Sequence, residues 1–143
     1  YHDLNAQGMI SLSSSSTTTI AAANTAVKVA GTTGSYELFR FDTASVSNRL
    51  RYIGMSNNSF LATATVTFTC ATNNTIWAFQ FWKNGVKIPQ GTARVSKAVA
   101  TDFTSVSLSA IIGFQPNDYI ELYVTNATDS SNVTIIDLTM TAK

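Results

Sequence analysis

The chain has one cysteine, one histidine and two prolines in 143 residues, and only 12% of its residues are charged. Each scarcity excludes something. A lone Cys70 cannot close a disulfide within the chain, so the domain must hold together by packing and association. His2 is the only histidine and sits in an expected connector, which leaves no Ser-His-Asp, Cys-His or His/Cys metal constellation. Asp118 and Glu121 are three apart on an expected strand and so face opposite ways, which removes the obvious carboxylate pair for glycoside chemistry. Asp118, Asp129 and Asn132 read better as turn-forming side chains than as a calcium site. The expectation is a protein without catalytic residues, metal or cofactor.

No run of 18 apolar residues is present, so no membrane-inserting helix is expected. A formal net charge of +1 gives no electrostatic reason to expect nucleic acid or an anionic membrane as partner. The chain starts at Tyr1 rather than Met and reads as the C-terminal piece of a longer protein. Charge is about half the ~25% usual in globular proteins, yet apolar content is an ordinary 45%, which is not the signature of disorder. About a quarter of the residues are Ser or Thr, as expected of an all-β protein with hydroxyl-rich outer faces, at home on an extracellular or virion surface.

Residues 1–16 read as a connector or the end of a stalk, because Ser13 to Thr19 is an unbroken hydroxyl run. Within it, Gly8-Met9-Ile10 is compatible with a short strand. Residues 17–143 form the expected domain. Strands are predicted near 17–22, 25–30, 36–41, 48–54, 60–70, 75–83, 86–95, 103–112, 118–126 and 132–142, with no helix. Phe60, Ala62, Ala64, Val66, Phe68 and Cys70 alternate with Leu61 and four threonines, a half-buried strand. Trp77, Phe79 and Phe81 share one face of the next strand, while Ile76, Ala78, Gln80 and Trp82 share the other. In 117–124, Ile120, Leu122 and Val124 point to a core and Tyr119, Glu121 and Tyr123 point away. Lys83-Asn84-Gly85-Val86 is a type I′ hairpin signal. About ten short strands at such spacings predict an antiparallel sandwich, with jelly roll as first choice.

Three features carry a family resemblance: the Lys83-Asn84-Gly85 hairpin after an aromatic strand, the Asn117-Asp118-Tyr119-Ile120-Glu121-Leu122 strand, and the final strand opening with Asn132-Val133-Thr134-Ile135. Together they resemble the trimeric jelly-roll heads of phage and virus fibres, similar in fold to tumour necrosis factor and complement-type globular heads. The resemblance implies a homotrimer that caps a fibre and binds a host receptor or glycan. It matches Tyr119 and Tyr123 to the strand near the threefold axis, with Glu121 between them. The Trp77, Phe79 and Phe81 face is expected to join that interface. No collagen-like repeat is present to identify the stalk.

Loop polar groups at Asn57, Asn58, Asn73 and Asn74 are the candidates for a glycan site, since Trp77 and Trp82 lie on opposite faces of one strand. Arg49 and Arg51 share a face and are expected to pair with Glu121 or Asp137. Four Asn-X-Ser/Thr triplets, beginning at Asn57, Asn73, Asn126 and Asn132, are what this composition produces by chance. The alternatives to a fibre head are a monomeric carbohydrate-binding module of a secreted protein and, less favoured, a cytokine-like ligand of the same fold.

Overall fold

A computed structural model describes residues 5–143, so His2 lies outside the described residues. These residues form thirteen strands and no helix: β1 (Gln7–Leu12), β2 (Ser16–Thr18), β3 (Val27–Lys28), β4 (Thr33–Phe39), β5 (Phe41–Asp42), β6 (Leu50–Tyr52), β7 (Asn58–Cys70), β8 (Thr75–Lys83), β9 (Val86–Lys87), β10 (Ala93–Lys97), β11 (Thr104–Phe114), β12 (Tyr119–Asn126) and β13 (Val133–Ala142). Two antiparallel sheets face each other. The first has the order β11-β7-β13-β1-β4, with β2 also paired to β13; the second has the order β10-β8-β12-β6-β5, with β3 on β12 and β9 on β8.

Alternation places the core. Ala62, Ala64, Val66 and Phe68 of β7 are buried, as are Val106, Leu108, Ala110 and Ile112 of β11 and Ile120, Leu122 and Val124 of β12. At one end of the sandwich Phe41, Tyr52, Phe60 and Phe114 meet edge-on or tilted, with centroids 5.1–6.2 Å apart. At the other, Phe68 contacts Trp77 and Phe79 at 6.0 and 5.2 Å. Such edge and offset geometries suit the charge distribution of aromatic rings. Trp77 Nε1 is buried but donates to Thr75 Oγ1 at 2.8 Å.

The expected interface role of Trp77, Phe79 and Phe81 is corrected here. All three are fully buried between the two sheets of a single chain, so they form its core and no face that a neighbour can touch. The reason is volume: of the two apolar faces of β8, the one with three large rings fills the space opposite β7.

The connector expected over 1–16 is corrected within its described part, 5–16, since residues 1–4 lie outside the described residues. β1 runs between β13 and β4, with Gly8 opposite Ala142 and Ile10 fully buried, and Ser16 already belongs to β2. A Cβ on Gly8 would lie 2.9 Å from Phe41 Cβ, so the glycine is there for close packing. The strand expected over 86–95 is two pieces, split at Pro89-Gln90-Gly91, where Gly91 takes a φ of 78°. The Asn84-Gly85 turn follows expectation, with φ of 53° and 79° as a type I′ turn requires.

Candidate functional site

The outer face of the second sheet carries the concentrated chemistry. Strand register sets it out in rows. Lys87 and Glu121 flank Trp82; Tyr123 sits opposite Gln80 and is followed outward by Lys28; Arg94 and Thr125 flank Ala78. Because side chains of paired residues project together, each row is a local constellation.

Glu121 is almost wholly buried, and one of its oxygens accepts from two cations, Lys28 Nζ at 2.7 Å and Arg49 Nε and Nη2 at 2.9 Å each. The Arg49 guanidinium also lies 3.8 Å from the Tyr119 ring centre, a cation–π contact. Tyr123 stacks on Trp82, with centroids 4.1 Å apart and planes inclined by 6°. Burial pushes the Tyr123 phenol above its ordinary value, the charges of Glu121 and Tyr119 add to this, and Arg49 opposes it. Tyr119, Glu121 and Tyr123 therefore share one face, as their spacing predicts, and each has a partner within its own chain. Arg49 meets Glu121 as expected. Arg51 instead makes a two-pronged pair with Asp42, 2.8 and 2.6 Å long, which holds the Asp42 carboxyl below its ordinary value.

Beside the Tyr123–Trp82 stack lies a cleft of about 440 Å³. Ala78, Gln80 and Trp82 line it from β8, Thr125 and Ala127 from β12 and its following loop, and Asn24, Thr25 and Ala26 from the approach to β3. Its rim is Lys87, Thr92 and Arg94, and these three also line an adjoining cavity of about 710 Å³ that includes Pro89. The small Ala78 between Arg94 and Thr125 makes the depression. Neither lining contains an acidic residue.

The loop candidates are not brought together. Asn57 and Asn58 lie at the start of β7, in a cavity of about 400 Å³ with Lys83, Gly113 and Gln115. Asn73 and Asn74 follow its other end, roughly 40 Å away at ~3.3 Å per residue. Asn73 is committed to structure, since its Oδ1 accepts from the Ala100 N–H at 2.8 Å. Asn126, within one Asn-X-Thr triplet, is fully buried and braces its own loop through Asp129 and Ser131. Among the described residues no group of three or more His, Cys, Asp or Glu side chains is placed to hold a metal ion. Sequence reasoning missed the cleft, because its walls come from five separate segments. The signal available was the pairing of Ala78 and Gln80 with Trp82 on a face that had no polar residue to explain it but Gln80.

No family model matches the chain, and a search of curated proteins finds no match. Solved structures do. Murine APRIL at pH 5.0 superposes with a TM-score of 0.60 at 9% identity, over 96% of this chain and 98% of that one. The Eiger TNF structure from S. frugiperda gives 0.56 at 9% identity, over 95% and 90%. The class is thereby defined at the level of fold: a TNF-like jelly roll, all-β, of two antiparallel sheets.

Proposed function

We propose that this chain is the homotrimeric head of a viral or phage fibre or decoration protein, displayed on the virion surface. In this reading it serves host attachment through a receptor or glycan, and it is a binding and structural protein without catalysis. The observation that carries the reading is a TNF-like jelly roll with one nearly uncharged outer face. Strands β7, β11 and β13 contain a single charged residue, Asp137. Their outward positions are mostly Thr and Ser, interrupted by Leu61 and Ile111, which are cross-strand partners and exposed, Ile111 at 70%. Hydroxyls cost far less to desolvate than ions, so this face is the one suited to association. The second sheet's outer face carries Lys28, Arg49, Glu121, Lys87 and Arg94, and its rings are already paired. Assembly is therefore assigned to the Leu61–Ile111 face and not to Tyr119 and Tyr123.

Light scattering tests this directly. The expected mass is three times 15.3 kDa, falling to one chain when Leu61→Lys and Ile111→Lys are combined. A monomeric unmodified chain overturns the trimer. It would favour the second reading, a monomeric carbohydrate-binding module, which the ring-lined cleft supports.

A further inference from the structure

The two adjoining cavities on the second sheet form one groove, because Lys87, Thr92 and Arg94 belong to both. We propose that this groove binds an acidic saccharide, a run of sugar rings bearing carboxylate or sulfate. The proposal deepens the attachment reading and rests on it for its biological role only; the chemistry of the groove stands by itself.

Unpaired polar atoms come first. Gln80 is 2% exposed, its Nε2 donates to Thr125 Oγ1 at 3.2 Å, and its Oε1 has no partner among the described residues. Turning the amide over exchanges the two ends and still leaves one unpaired. Trp82 Nε1, two residues along the same strand face, is a buried donor likewise without a partner among the described residues. An orphan acceptor and an orphan donor on one strand face suit a group that both donates and accepts, which is what a hydroxyl does. Both residues line the groove while these two atoms are shielded from solvent, so a ligand reaches them by displacing neighbouring side chains.

Charge comes second. Lys87 and Arg94 are exposed on the rim, and among the described residues neither makes an ion pair and no Asp or Glu lines the groove. The other cations of this face, Lys28 and Arg49, are already held by Glu121. A guanidinium recognises carboxylate or sulfate in fork geometry, and an ammonium does so as a point charge. Two cations fit a sparsely charged saccharide better than a nucleic-acid strand, whose closely spaced phosphates call for a longer basic row.

The ring comes third. Tyr123 covers one side of the Trp82 indole and fixes its plane, and Trp82 also lines the groove. An immobilised aromatic surface beside hydrogen-bonding groups is the combination that an amphipathic sugar ring requires.

The test is a fluorescence titration of the intact chain with trigalacturonate, a sulfated disaccharide and neutral maltotriose. Trp77 is fully buried in the core, so Trp82 dominates any change. The expected result is saturable binding of at least one acidic probe, the responding arm identifying carboxylate or sulfate. Arg94→Ala with Lys87→Ala should weaken it about tenfold, the scale of a lost charge-assisted hydrogen bond. Gln80→Leu should weaken binding while leaving the melting temperature unchanged or higher, since it removes an unpaired buried group; the rim variants, at exposed positions, carry the test if this one fails to fold. Equal binding of maltotriose, no saturation with either acid, displacement by oligothymidylate, or unaltered affinity in the rim variant overturns the proposal. A trimer that ignores acidic sugars loses the groove and keeps the head assignment; a monomer that binds them does the reverse.

Discussion

Asn48 and Leu122 exchange two hydrogen bonds, the Asn48 Nδ2 donating to the Leu122 carbonyl at 2.9 Å and the Leu122 N–H donating to Asn48 Oδ1 at 3.1 Å. A side-chain amide thus does the work of a strand's backbone. It sits between the stretch of β12 paired with β6, at Tyr119 and Ile120, and the stretch paired with β3, at Tyr123 and Val124. The same Nδ2 also donates to the Val29 carbonyl at 3.0 Å.

Replacing Asn48 with Ala takes this partner from the Leu122 N–H and the Val29 carbonyl in a fully buried place, while the Leu122 carbonyl keeps the Val29 N–H at 3.1 Å. The expected loss is about 2–4 kcal/mol, the range for opening a buried polar network. Denaturant unfolding checks it: the midpoint falls while the slope stays, because the exposed area on unfolding is unchanged. A loss below about 0.5 kcal/mol would show that water replaces the amide without penalty.

At alkaline pH, Tyr123 should ionise later than an ordinary tyrosine, above the usual value of 10.0. A raised folded value means that the fold prefers the neutral phenol. The stability linked to it is fully present below the unfolded value near 10 and is lost as pH rises through the folded one. Tyrosinate absorbance of the chain, less that of Tyr123→Phe, isolates this step. Trp82→Leu uncovers the ring and should move the step back toward 10; an unmoved step would mean that the stack is not what shields the phenol.

Gly91 and Gly85 both take positive φ, 78° and 79°, but differ in surroundings. A Cβ on Gly91 would meet Ala110 Cβ at 2.9 Å and the Phe81 ring at 3.1 Å, whereas one on Gly85 meets nothing within 4 Å. Gly85→Ala should cost about 1–2 kcal/mol from backbone conformation alone. Gly91→Ala adds overpacking and should cost roughly 1–3 kcal/mol more. Equal thermal shifts for the two variants would contradict the close approach.

The long strands were legible because each has one face of a different character. Thr63, Thr65, Thr67 and Thr69 mark the outside of β7, and the alternation in β12 and β13 is as clean. β1 was not legible. Its partners β13 and β4 lie far along the chain or across a polar run, and Gly8 and Gln7 are poor strand formers in isolation. In β8 the alternation itself was plain, but both faces are apolar, and pattern alone does not choose the inward one. That choice depends on the volume left by β7 and β12. The groove failed for a related reason: Arg94, Ala78 and Thr125 become neighbours through register between three strands, which no single segment encodes.

The place of β13 in the first sheet bears on how the molecule is made. Of the thirteen strands described it comes last in chain order, and it pairs with β7, β1 and β2. Until it emerges, β1 has no partner on that side, and neither does β7, although β11 already covers its other edge. The first sheet thus waits, as a pair of open strand edges, for β13. Closure joins segments more than a hundred residues apart, β1 with β13, which makes it a slow, non-local step. During that interval identical nascent chains on one message can pair edge to edge. What such a waiting edge exposes is backbone N–H and C=O, so early pairing between copies would run through the edges of β7 and β1 and not through the hydroxyl-rich face.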